Sequence, residues 1–289
     1  MATLRDLKRR ITSVKNTETI TRAMQMVAAA KFRRAQETLF KARPYSETIK
    51  KLTMEMCGSI SIDDHPFLVP SEEQKSVGVL VITSDKGLCS SFNNNIILSV
   101  EKDIRGLKRK AGEISFITVG RKGYDYFFKQ DVHIINKYFE EKGQTDKDVS
   151  RKIAKEVIKS FMDEKVNEIR LYYTTFKSVA RHETTRQKLL PIDPGEFGTE
   201  AEPRDSIFEP NKNQILDNIL PKYIESQIFK ALLESHASEQ AARMTAMDVA
   251  TTNCREVISD LSLVYNKARQ AAITTEILDI VGGAEALKK

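Results

Sequence analysis

The sequence predicts an α/β domain inserted between the two halves of a long antiparallel α-helical coiled coil, and three stretches carry that prediction. Toward the C-terminus a small or apolar side chain recurs at Met244, Met247, Thr251, Cys254, Ile258, Leu261, Tyr265, Ala268, Ala272 and Thr275. The steps alternate three and four, the spacing of a coiled-coil seam. The N-terminal residues have a seam of their own. Between the two ends, apolar β-branched runs alternate with helical patterns, the order of a parallel sheet with crossover helices. Two terminal helices, each too long to stand alone, bury their seams most economically against one another.

Taken in order, residues 1–57 read as the first coiled-coil helix. Its seam runs Leu4, Leu7, Ile11 and Val14, shifts to Ile20, Met24 and Val27, and shifts again to Ala28, Phe32, Ala35, Leu39 and Ala42. Pro44 is expected to end or kink it. Residues 58–76, with Pro66 and Pro70 and no periodicity, read as a linker. The α/β domain, Rossmann-like in its element order, spans 77–192. Val77 to Thr83 is a continuous apolar run, as in a strand covered on both faces. A loop at Ser84 to Ser91 leads to a helix near Asn93 to Lys110. Strands follow at Ile114 to Val119, Val132 to Tyr138 and Glu168 to Val179, with helices at Arg121 to Gln130 and Asp146 to Lys165. A last strand is expected at Lys188 to Ile192. Residues 193–210 form a second linker, and 211–286 the C-terminal coiled-coil helix. No proline follows Pro221 and no glycine appears before Gly282, so that helix is unbroken for roughly 90 Å. Its small seam residues require a close partner and bury little per layer.

Composition narrows the function. There is no apolar run of the length needed to span a membrane and no signal-peptide core, so the chain is expected in the cytoplasm. Three scattered cysteines, Cys57, Cys89 and Cys254, and four isolated histidines offer neither a disulfide framework nor a metal site. The net charge of +6 is an N-terminal property: up to Arg43, eleven basic residues face only Asp6, Glu18 and Glu37. These basic residues surround the helix and are interleaved with Ala and Met, with almost no aromatics, which argues against nucleic acid. The narrow seam argues against an interfacial membrane helix. An acidic protein surface fits better.

The place to look for chemistry is Ser84-Asp-Lys-Gly-Leu-Cys89, at the C-terminal end of the first strand, where doubly wound folds bind ligands. It has one glycine and neither phosphate-binding motif, and Gly120-Arg-Lys-Gly123 does no better. Cys89 at a helix start could act as a nucleophile, but only His65 and His133 stand as bases and neither is adjacent in sequence. No catalytic, cofactor or metal residue is assigned. Two rival readings stay open. One is an α/β nucleotide-binding enzyme with a helical dimerisation arm. The other is a basic coiled-coil scaffold for nucleic acid.

Several segments together resemble one family, the gamma subunit of the bacterial F-type ATP synthase. They are Arg9-Arg-Ile11, Val14-Lys-Asn-Thr17, Ile20 to Lys31, Arg43-Pro-Tyr45, Thr83 to Cys89, Ala237 to Met247, Leu263 to Ala271 and Ile273 to Ile277, in order along the whole chain. The resemblance implies a non-catalytic central stalk. Its coiled coil would turn inside a ring of three alpha and three beta subunits, and its foot would sit with epsilon on the ring of c subunits. It would couple proton flow to ATP synthesis or hydrolysis at the beta subunits. Membrane association would be indirect, at the cytoplasmic face of the inner membrane. Carried over by position, the beta-subunit contacts are Met24, Lys31, Arg243, Arg269, Gln270 and Thr274, and Glu209 is the c-ring contact. Tyrosines common in the family before Glu209 are replaced here by Ser206 and Phe208.

Overall fold

The computed structural model describes residues 3–57, 65–69, 76–107, 112–141, 144–179, 181–193 and 212–286. Two helices dominate, α1 (Leu4–Cys57) and α5 (Lys212–Ala286). Between them lie β1 (Ser76–Ile82), α2 (Phe92–Leu107), β2 (Glu113–Val119), α3 (Arg121–Phe128), β3 (His133–Tyr138), α4 (Asp146–Met162), β4 (Glu168–Phe176) and β5 (His182–Leu190). The chain forms two compact units. One comprises the residues up to Ala28 and from Met244 on; the other comprises Ala29–Arg243.

The first unit is an antiparallel helix pair. Glu18 meets Arg255 at 2.8 Å, Thr21 meets Thr251 at 2.9 Å, and Gln25 meets Asp248 at 2.8 Å. Partner numbers add to 272 or 273 in each case, so the helix start at Leu4 lies opposite residues 268 and 269. On α5 the expected seam holds from Met244 to Ala268, every seam position being buried or half-buried. It stops there: Ala272 and Thr275, expected to continue it, are exposed. The reason is geometric: α1 starts at Leu4, opposite residues 268 and 269.

On α1 the expected phase shift does not occur. The three-four alternation runs without a break through Leu4, Leu7, Ile11, Val14, Glu18, Thr21, Gln25 and Ala28, all buried or half-buried. Ile20 and Val27, expected in the seam, are 59% and 57% exposed. Apolar character misled here because the middle of this seam is polar. Thr21 and Thr251 have two hydroxyl protons for three contacts: the bond between them and the bonds to the carbonyls of Glu18 (3.0 Å) and Met247 (2.7 Å).

The second unit is a five-stranded sheet of order β3-β2-β1-β4-β5, with β1 to β4 parallel and β5 antiparallel to β4. β1 is buried at every residue. Leu80 and Ile82 pack on one face, with α4 and the early turns of α5; Val77, Val79 and Val81 pack on the other, with α2. Coverage of both faces explains the unbroken apolar run. β5 begins six residues before the expected strand, since its polar residues from His182 to Lys188 lie on a sheet edge and give no apolar signal. Phe67 and Leu68, within the expected first linker, are buried in the core; most of that linker and of 193–210 falls outside the described residues. α1 runs through Pro44, which is exposed, as is Phe40 one turn before it. The carbonyl that loses its helical bond there can therefore meet water. α5 likewise runs through Pro221. In this unit Phe32, Ala35 and Leu39 of α1 pack with Leu233, Ala237 and Ala241 of α5, and Phe32 lies 5.5 Å from the ring of Phe176.

Candidate functional site

The loop that follows β1 was the candidate cradle, and its own carboxylate stands in the place of an anion. The Asp85 carboxylate accepts from the N–H of Arg121 at 2.8 Å and of Glu140 at 2.6 Å, occupying the start of α3 where a phosphate would dock. The two glycines of Gly120–Gly123 serve packing. Gly120 has φ 89°, and a Cβ there would fall 2.2 Å from the Thr83 carbonyl oxygen; at Gly123 it would fall 2.8 Å from the Thr83 hydroxyl. That hydroxyl accepts from Gly123 N–H at 2.9 Å and donates to the Val119 carbonyl at 2.9 Å. Cys89 is 2% exposed, and burial pushes its thiol up, against the lowering effects of Ser84 and Arg243. Such a thiol is a poor nucleophile.

Above this loop a cavity of about 540 Å³ opens against α5, lined among others by Lys86, Thr145, Asp146, His236, Glu239 and Arg243. Arg243 is 8% exposed. Its Nη2 meets Glu239 Oε1 at 2.7 Å, one turn back on α5, and donates to the carbonyls of Lys86 at 3.1 Å and Gly87 at 3.2 Å. Burial pushes the Glu239 carboxyl above its usual range, although Arg243 opposes the shift. His236 is moved the other way from a buried imidazole: Asp146, 3.8 Å distant, raises it more than burial lowers it. These groups tie α5 to the sheet and leave no free nucleophile and base facing each other.

Of the residues carried over as beta-subunit contacts, Lys31 and Arg243 line the cavity of the second unit together, and the others that are described lie in the first unit. Met24 is half-buried beside the polar seam of the first unit, whereas Arg269, Gln270 and Thr274 stand exposed on α5 beyond the start of α1. At about 1.5 Å per residue the two groups sit roughly 30 Å apart along the helix pair. Thr274 donates to the Gln270 carbonyl at 2.9 Å, leaving the Gln270 and Arg269 side chains open. Lys31 and Arg243 belong to the second unit, Lys31 exposed and Arg243 turned onto its own chain. Glu209, with Ser206 and Phe208, lies outside the described residues. The polar seam of Glu18, Thr21 and Gln25 escaped sequence reasoning, although strict continuation of the three-four count from Leu4 would have landed on all three.

The fold defines a class: an antiparallel pair of long terminal helices together with an α/β domain built on a five-stranded sheet. Comparison with known proteins makes the class specific. Residues 3–287 match the family model described as ATP synthase. The ATP synthase gamma chain of Geobacter metallireducens is 46% identical over 288 residues, covering all of both chains. That of Chloroherpeton thalassium is 40% identical over 303 residues, covering all of this chain and 99% of the other. Among solved structures, the central stalk and c-ring of the Tetrahymena thermophila mitochondrial ATP synthase matches with a TM-score of 0.60 and 26% identity, over 80% of this chain and 99% of that one. A chain of the Euglena gracilis mitochondrial ATP synthase shares the fold, with a TM-score of 0.70 at 21% identity over 98% and 94%. The chain belongs to the ATP synthase gamma-chain family, as a subunit of the complex rather than its catalytic part. Among the described residues no helix is long and apolar enough to cross a membrane.

Proposed function

We infer that this chain is the rotating central stalk of the F1 sector, coupling proton flow through the membrane sector to conformational change at the beta subunits. The observation that carries the reading is the inverted polarity of the helix pair in the first unit. Its interior holds Glu18, Thr21 and Gln25, while Ile20, Met26 and Val27 on α1 and Val249 on α5 are each more than half exposed. A helix pair that turns apolar residues outward at the level of a polar seam is shaped for an enclosing surface. Beyond Ala268 the single helix exposes Ile273, Ile277, Leu278, Ile280 and Val281 as well. Three alpha and three beta subunits around this pair, with epsilon and the c-subunit ring at the foot, satisfy both features.

An asymmetric shaft acts by differential contact: it shifts a site only by the difference in its contact energy with two states of that site. About 5.5 kcal/mol of difference takes a two-state site from 1:99 to 99:1, which a few side chains can supply. Met24, Lys31, Arg269, Gln270 and Thr274 are the proposed contacts with beta, Arg269 adding a charge-assisted bond to a carboxylate. Glu209 is the proposed c-ring contact, and the complex holds the chain at the cytoplasmic face of the inner membrane. The test is co-purification of the tagged chain with alpha, beta and epsilon chains, followed by ATP-driven proton pumping of complexes carrying Arg269→Ala with Gln270→Leu. Pumping should fall while the helix pair stays folded, since neither residue is in the seam. Failure to co-purify with alpha and beta chains sinks the stalk reading, and unaltered assembly, hydrolysis and pumping sink the contact assignment.

A further inference from the structure

The loop from Ser84 to Ser91 is strained and braced, and nothing in its own packing explains why. Leu88 has φ 62° and Ser90 φ 53°, left-handed conformations that a bulky side chain avoids and that persist only where the surroundings impose them. The bracing comes from two directions. Within the loop, Ser84 N–H donates to Asn93 Oδ1 at 3.0 Å, the Ser84 hydroxyl donates to the Lys86 carbonyl at 2.7 Å, and Asn93 Nδ2 lies 3.3 Å from Cys89 Sγ. From α5, Arg243 Nη2 donates to the carbonyls of Lys86 and Gly87, and its Nε reaches Gly87 at 3.4 Å. Glu239 holds the guanidinium from behind.

The outcome of this bracing points outward. Leu88, at the tip, is 62% exposed, and Lys86 beside it is exposed as well. A leucine forced into a left-handed conformation and then left in solvent gains nothing for the core. Arg243, by contrast, turns its Nε and Nη2 onto its own chain and is 8% exposed.

We propose that Arg243 is a positioning residue: it braces the β1–α2 loop against α5 so that Leu88 and Lys86, and not the guanidinium, meet the neighbouring subunit. The surface they fit is an apolar recess flanked by a carboxylate. This rests on the stalk reading for the identity of the neighbour, but the bracing itself does not depend on it.

The experiment uses the full chain, first alone and then in the assembled complex, with Arg243→Ala, Arg243→Lys, Leu88→Ala and the double variant Arg243→Ala/Leu88→Ala. In the isolated chain, Arg243→Ala should raise hydrogen exchange of the hydrogen-bonded amides at the two ends of the loop, Ser84 and Phe92, by about tenfold or more, with β1 amides unchanged, whereas Leu88→Ala leaves them alone. Arg243→Lys should restore little, because one ammonium cannot span two carbonyls and Glu239 in fork geometry, and it gives the same reading if the alanine variant fails to fold. In the complex, protons pumped per ATP hydrolysed should fall for both Arg243→Ala and Leu88→Ala, and the double variant should be no worse than the poorer single. Unchanged loop exchange in the Arg243 variants overturns the bracing, whatever the assembly does. A silent Leu88→Ala, or single effects that simply add, means that Arg243 touches the neighbour itself and overturns the proposal. Should no variant or parent chain assemble with alpha and beta chains, the stalk reading fails and the exchange result still judges the brace.

Discussion

Removing the hydroxyl of Thr251 tests whether the polar seam is an energetic unit. Thr251→Val keeps the shape and deletes the bond to Thr21, while Thr21 retains its 3.0 Å contact to the Glu18 carbonyl. No buried group is orphaned, so the cost is that of one neutral hydrogen bond, about 1 kcal/mol, rather than a full desolvation penalty. Thr21→Val should cost about the same, since Thr251 keeps the Met247 carbonyl at 2.7 Å. The double variant loses the shared bond once, together with the hydroxyl bonds to both carbonyls, and adds methyl burial, so it should cost less than the sum of the two. Hydrogen exchange of amides near Thr251 in the intact chain reads this as local opening, about fivefold faster in either single variant and, in the double, faster by less than the product of the two. Strict additivity, or silent single variants, would refute the claim that the two hydroxyls form one interhelical contact.

Three further outcomes can be measured. Thr145→Ala removes the side-chain arm of the capping box that Thr145 and Asp148 build at the start of α4, leaving the arm from its own N–H to the Asp148 carboxylate, and should lower stability in urea by about 1 kcal/mol. Alkylation at about pH 8 should label the half-buried Cys254 well before Cys57, whose thiol burial pushes up to about 11, and before Cys89; equal rates for all three would contradict the described burial. Burial raises the Asp103 carboxyl, but the hydrogen bonds from Arg186 and Tyr172 outweigh it, and the net value lies below the usual carboxylate range. A depressed folded value means that its stabilisation is present above the unfolded value and is lost as pH falls through the folded one. Asp103→Asn should therefore flatten the acid side of the stability profile, checked by denaturant midpoints across that range.

Legibility followed burial. α5's seam could be read from Met244 to Ala268 because small and apolar residues there face a neighbouring helix, and β1 could be read because both its faces are covered. Ile20 and Val27 were misplaced because apolar character was taken for burial, when both are more than half exposed and the seam beside them is polar. Ala272 and Thr275 kept the spacing of a seam after the partner helix had ended, and spacing alone cannot reveal where the other helix starts. Of the carried-over contacts, Arg269, Gln270 and Thr274 could be placed on an outward face by the 100° rotation per residue. The inward turn of Arg243 could not, because its partners, the carbonyls of Lys86 and Gly87, are more than 150 positions away in sequence.

The end of α1 opposite Ala268 also divides the first unit mechanically. Up to that point twist is carried by two helices cross-linked by layers of side chains, and two bonded rods resist torsion and bending better than either alone. From Arg269 on, a single helix bears any load through its own backbone ladder. Torque applied below is delivered stiffly at the level of Thr21 and Thr251, whereas the tip yields like a soft spring. Gln270 and Thr274 therefore sit at the compliant end of the helix pair, and Met24 beside its stiff level.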